Sequence, residues 1–91
     1  MLMWVFTKDG FFSAVAKDCG KDEVLIRSRQ KADLVKLCRK LGLKIEIQEG
    51  VGTDYRFRLV IKRSAWAKYL SETALKLDYD NFKDVSHRNA I

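Results

Sequence analysis

The segment Tyr55-Arg56-Phe57-Arg58-Leu59-Val60-Ile61-Lys62 alternates between two kinds of side chain. A strand has a side-chain period of two, so successive residues point to opposite sides of a sheet. Tyr55, Phe57, Leu59 and Ile61 then form one face, and Arg56, Arg58, Val60 and Lys62 the other. A chain that holds this segment must build a sheet with one side toward a core and cations on the other. With 91 residues there is room for one core, so residues 1–91 read as a single domain.

The remaining elements follow from pattern and turn chemistry. Leu2 to Phe6 reads as a strand, and Thr7-Lys8-Asp9-Gly10 as a tight turn, because Asp-Gly supplies the positive φ that hairpins need. Phe11 to Lys17 is the return strand, and a polar turn over 18–22 leads to a third strand, Glu23 to Arg29. Lys31 to Leu41 carries Leu34, Leu37, Cys38 and Leu41 at helical spacing, with Gly42 as a natural stop. Lys44 to Glu49 reads as a short strand, Gly50 to Thr53 as a loop, and Asp54 to Lys62 as the strand described above. Ser64 is positioned to cap a second helix, Ala65 to about Leu77, whose buried stripe is Trp66, Leu70, Thr73, Ala74 and Leu77. The remainder, Phe82 to Ile91, reads as a tail able to dock through Phe82 and Val85, with residues 84–91 expected to fray. The order βββ-α-ββ-α predicts an α+β two-layer sandwich, with two helices on one face of an antiparallel sheet of about five strands.

Composition bounds the function. The net charge is +6, which favours polyanionic partners. The apolar start Met1 to Phe6 is too short for a membrane span or a signal core, so a cytoplasmic setting without membrane contact is expected. Cys19 and Cys38 lack CxxC spacing; Cys38 falls on the helix stripe, and a disulfide is not expected.

Three blocks carry a resemblance: Met3 to Ser13 (MWVFTKDGFFS), Gly52 to Arg58 (GTDYRFR) and Asp78 to Lys83 (DYDNFK). Together, and in this order, they resemble a family of small uncharacterised proteins of phages, plasmids and bacterial chromosomes. The resemblance implies a phage or mobile-element setting in a bacterial or phage-infected cell. It implies no mechanism and assigns no residue a role.

Among the residues themselves, the first candidate is the basic sheet face. Arg56, Arg58 and Lys62 share a side, with Lys44, Arg27 and Arg29 as secondary members from neighbouring strands. Arginine donates paired hydrogen bonds that match phosphate. The aromatics of this segment do not resemble the outward pair of an RNA-recognition motif, which has Gly between them. Tyr55 and Phe57 are in phase with Leu59 and Ile61 and are expected in the core. The bland alternative is a solvated face paired to Glu46 and Glu49.

The second candidate is the N-terminal hairpin, apolar on both faces, whose Trp4, Phe6 and Phe12 form either an interaction surface or a strand pair covered on both sides. A third, Asp78, Asp80 and Asn81, has oxygen ligands but no Glu to complete a calcium loop, so a helix end is the plainer reading. His87, the single histidine, has no Cys nucleophile near it in sequence, and Gly50-Val51-Gly52 lacks the third glycine of a dinucleotide loop. No catalytic residue, metal or cofactor is therefore expected. The expected function is non-catalytic binding of a nucleic acid or nucleotide through the basic face. The alternatives are a protein-interaction module acting on a host protein, a homodimer formed through the aromatic hairpin, and a small hydrolase or nuclease built on Asp78 and Asp80.

Overall fold

The computed structural model describes residues 2–50 and 52–77. The DYDNFK block, the tail with Phe82, Val85 and His87, and the candidate carboxylates Asp78 and Asp80 all lie outside the described residues. The strands are β1 (Leu2–Thr7), β2 (Gly10–Val15), β3 (Glu23–Ser28), β4 (Gln48–Glu49) and β5 (Phe57–Lys62). The helices are α1 (Lys31–Leu41) and α2 (Arg63–Leu75). All pairings are antiparallel, in the order β1-β2-β3-β5-β4, so the described residues form an α+β sandwich of one five-stranded sheet and two helices.

One core joins the sheet to both helices. From the sheet come Phe12, Ala14, Val24, Ile26, Leu59 and Ile61; Leu34, Leu37 and Cys38 come from α1, and Trp66 and Tyr69 from α2. Phe12 meets both aromatics of α2 edge-on, and Trp66 stacks on Tyr69 at 5.5 Å between ring centroids. Helix α1 forms over the residues that its periodicity marks, and it ends at Gly42, whose φ of 67° suits a residue without Cβ. Burial pushes the Cys38 thiol up, away from reactivity at neutral pH.

Helix α2 departs from expectation. It begins at Arg63, directly after β5, and Ser64 does not cap it. Its start is tied instead by the Arg63 backbone N–H, which donates to the Asp22 carbonyl at 2.8 Å, and by Arg63 Nε to the Glu23 carbonyl at 3.0 Å. Its buried residues are Trp66 and Tyr69, whereas Ala74 near its end and Leu77 beyond it are exposed.

The β1–β2 turn is locked from below by polar groups. Gly10 has φ 140°, and a Cβ there would strike the Asp33 carboxylate, which accepts the Phe11 backbone N–H at 3.2 Å. Asp9 is 7% exposed and lies 3.0 Å from Lys40 Nζ. The Tyr69 hydroxyl donates to Asp9 at 2.9 Å, which leaves Thr7 to donate to the phenol oxygen at 2.7 Å. Burial alone would raise the Asp9 pKa, but the hydrogen bonds from Lys40 and Tyr69, with the charges of Lys40 and Lys8, outweigh it and hold the carboxyl below its usual 3.8.

A carboxyl depressed in the folded state contributes stability above its ordinary pKa and loses it as pH falls through the folded value. Asp9→Asn should therefore be less stable than wild type at pH 7 in urea unfolding, and the gap should narrow as pH drops below 3.8. A constant gap would show that the charge of Asp9 contributes nothing. Tyr69→Phe, which removes the donor to Asp9, should cost about 1–3 kcal/mol at pH 7.

Candidate nucleic-acid interface

The sheet has a second face, and no helix crosses it among the described residues. Both helices pack on the side of Phe12, Val24, Ile26, Leu59 and Ile61. Strand alternation turns Trp4 and Phe6 of β1, Phe11 of β2, Arg27 of β3 and Arg58 of β5 to the opposite side. Trp4 is 63% and Phe6 82% exposed there.

Tyr55 joins this face, contrary to the expectation that it lies in the core. Strand β5 begins at Phe57, three residues later than the expected start at Asp54, so Tyr55 escapes the alternation. Its backbone N–H donates to Thr53 Oγ1 at 3.2 Å, a local turn that breaks the extended run. The Tyr55 ring lies parallel to Phe11, 6.3 Å between centroids and 9° between planes. Phe11 in turn touches Phe6 at 6.0 Å and Trp4 at 6.5 Å. An aromatic row thus runs from the β1 edge to the start of β5.

Cations are interleaved with it. The Arg27 guanidinium lies 4.8 Å from the Tyr55 ring centroid and that of Arg29 5.6 Å from it, both within cation–π reach. Arg27 and Arg58 are direct cross-strand partners, a like-charge pairing that costs stability unless something compensates. Each guanidinium is held by uncharged acceptors: Arg27 Nη2 by Ser13 Oγ at 2.8 Å, and Arg58 Nη2 by the Tyr55 carbonyl at 3.1 Å. Neither meets a carboxylate among the described residues, and the Nε of each is buried without an acceptor. These bonds fix the two arginines in place and leave their charge unneutralised.

The other sequence candidates separate from this cluster. Arg56 is exposed, and its Nε donates to Glu49 Oε2 at 2.8 Å. Glu49 is cross-strand from Phe57, a core-side residue, so this pair belongs to the β4 edge. The solvated-pair alternative therefore describes Arg56 and not Arg58. Lys62 lies at the far end of β5 opposite Glu23, away from the aromatic row. Lys44 precedes β4 in an unpaired stretch, since only Gln48 and Glu49 of the predicted strand 44–49 pair with β5. A shallow cleft of about 480 Å³ lies between Leu43 and Ile45 of that stretch and Val60, Ile61 and Ala65.

Phe12 requires a correction. It is 0% exposed and sits at the centre of the core, so it is no part of an interaction surface. The partner of Phe6 and Trp4 on the open face is Phe11, its neighbour in sequence, because the hairpin register pairs Phe6 with Phe11. Alternation within Phe11-Phe12 alone could have separated the two, but both flanks are apolar and the phase is ambiguous.

Among the described residues no three His, Cys, Asp or Glu side chains gather in a metal-binding group, and no helix is long and apolar enough to cross a membrane. No family model, curated protein or solved structure matches the chain.

Proposed function

We propose that the protein binds single-stranded nucleic acid on the open face of its sheet. The observation that carries this reading is the coincidence on one face of an aromatic row, Trp4, Phe6, Phe11 and Tyr55, with Arg27, Arg29 and Arg58, which form no ion pair among the described residues. Bases stack on aromatic rings whatever their identity, while arginines take the phosphates. A duplex keeps its bases stacked inside and offers no ring faces to such a row, whereas a single strand does. A mononucleotide would use one ring, yet the row extends from β1 to β5. With few groups placed to read base edges, the expected binding has little sequence preference. The net charge of +6 adds long-range attraction to the same partner. A phage or plasmid setting, as the three sequence blocks imply, is compatible with this activity and forms part of the proposal.

The test is fluorescence anisotropy with labelled single-stranded and duplex oligonucleotides across a salt series. Affinity for the single strand should exceed that for the duplex, and log K should fall with log salt by about 0.7 per phosphate contacted. An absence of binding to either at low salt would sink the proposal.

A further inference from the structure

Among the described residues β1 is an outer strand and pairs only with β2. Its far side meets no strand of the described residues, so its backbone N–H and C=O groups are a template for another strand. Natural edges are blunted by charge, proline, bulges or shortness. β1 has none of these: Leu2-Met3-Trp4-Val5-Phe6-Thr7 is six residues long, uncharged, free of proline, and in continuous register with β2. Leu2, Met3, Trp4 and Phe6 are all exposed. The opposite edge shows the contrast within the same sheet. β4 is two residues long and is flanked by Glu46 and by the Glu49–Arg56 ion pair.

We propose that β1 pairs antiparallel with β1 of a second copy, across a two-fold axis through Trp4. Copies of a chain with net charge +6 repel one another, and β1 is a long stretch of surface where that repulsion has no local source. The strand is also self-complementary. Residues opposite one another in an antiparallel pair share a face, so a symmetric register must match even positions with even and odd with odd. An axis at Trp4 sets Leu2 against Phe6, Met3 against Val5, and Trp4 against its own copy, every pair apolar. An axis at Val5 would place Leu2 against Lys8, and one at Met3 would leave Phe6 without a partner. The two-fold keeps both open faces on the same side, so two five-stranded sheets become one and the aromatic rows meet at the axis.

The full chain should pass from monomer to dimer with rising concentration in sedimentation equilibrium. Amide exchange of residues 2–6 should slow in step with that transition. Trp4→Lys sets two cations face to face at the axis and should weaken dimerisation by on the order of 100-fold, since like-charge juxtaposition costs several kcal/mol. Circular dichroism checks that the variant folds. Gln48→Lys, on the β4 edge, should leave the dimer unchanged. A monomer at all concentrations would overturn the proposal, as would a dimer that survives Trp4→Lys. β1 amides protected equally at every concentration would also overturn it, because the edge would then be covered by the chain's own residues. If Trp4→Lys does not fold, the concentration dependence of wild-type exchange decides alone.

Discussion

Tyr55→Ala should weaken binding of a single-stranded oligonucleotide by about 10-fold to 100-fold while leaving its salt dependence unchanged, because one stacked base is worth about 1–3 kcal/mol. Tyr55→Phe should restore most of the loss, since the ring and not the hydroxyl does the stacking. Arg58→Gln should behave differently. Hydrogen bonds to charged groups are worth about 1.5–3 kcal/mol, so affinity should again fall by about 10-fold or more. Here, however, the slope of log K against log salt should become shallower by about 0.7, the signature of one lost phosphate contact. The pair of variants separates stacking from charge on the same face. Loss with Arg58→Gln but none with Tyr55→Ala would reduce the site to a general polyanion patch. Arg56→Gln is the internal control: its guanidinium is already paired with Glu49 at the sheet edge, and the change should have little effect.

Phe12→Ala should destabilise the fold by about 3–5 kcal/mol, the usual cost of emptying a fully packed aromatic position. Phe12 is 0% exposed and meets Trp66 and Tyr69 edge-on, so the cavity would open at the junction of sheet and α2. For a domain whose whole stability is on the order of 5–10 kcal/mol, much of the population would be unfolded at moderate urea. Phe6→Ala, at 82% exposure, should change stability by about 0.5 kcal/mol or less. Similar midpoints for the two variants in urea unfolding would contradict the register of the hairpin.

The architecture was legible because it rests on local periodicity. Leu34, Leu37 and Cys38 mark one helix face, Gly42 marks its end, and Val24, Ile26 and Ser28 mark one side of β3; each lies where its spacing places it. The helix Lys31–Leu41 and the antiparallel order of the first three strands follow from signals within a few residues of one another. The cation face was legible in part for the same reason, since Arg58 and Arg27 alternate with core residues on their own strands.

What the sequence by itself determined is thus the set of elements, the α+β class and the charge of one sheet face. Only the tertiary structure decided which aromatics share that face. Tyr55 is in phase with Phe57 and Leu59 on paper, but the strand starts after it, and the turn through Thr53 delivers its ring to Phe11 and Arg27 from the far side of the sheet. Phe11 and Phe12 are adjacent and chemically alike, and their separation into surface and core depends on which face the helices cover. The pairing of β3 with β5, which sets Arg27 beside Arg58, joins residues 31 positions apart in sequence. Periodicity reports the direction of a side chain relative to its neighbours. The contacts that make this face a site are set by strand ends and strand neighbours, which depend on the whole chain packing at once.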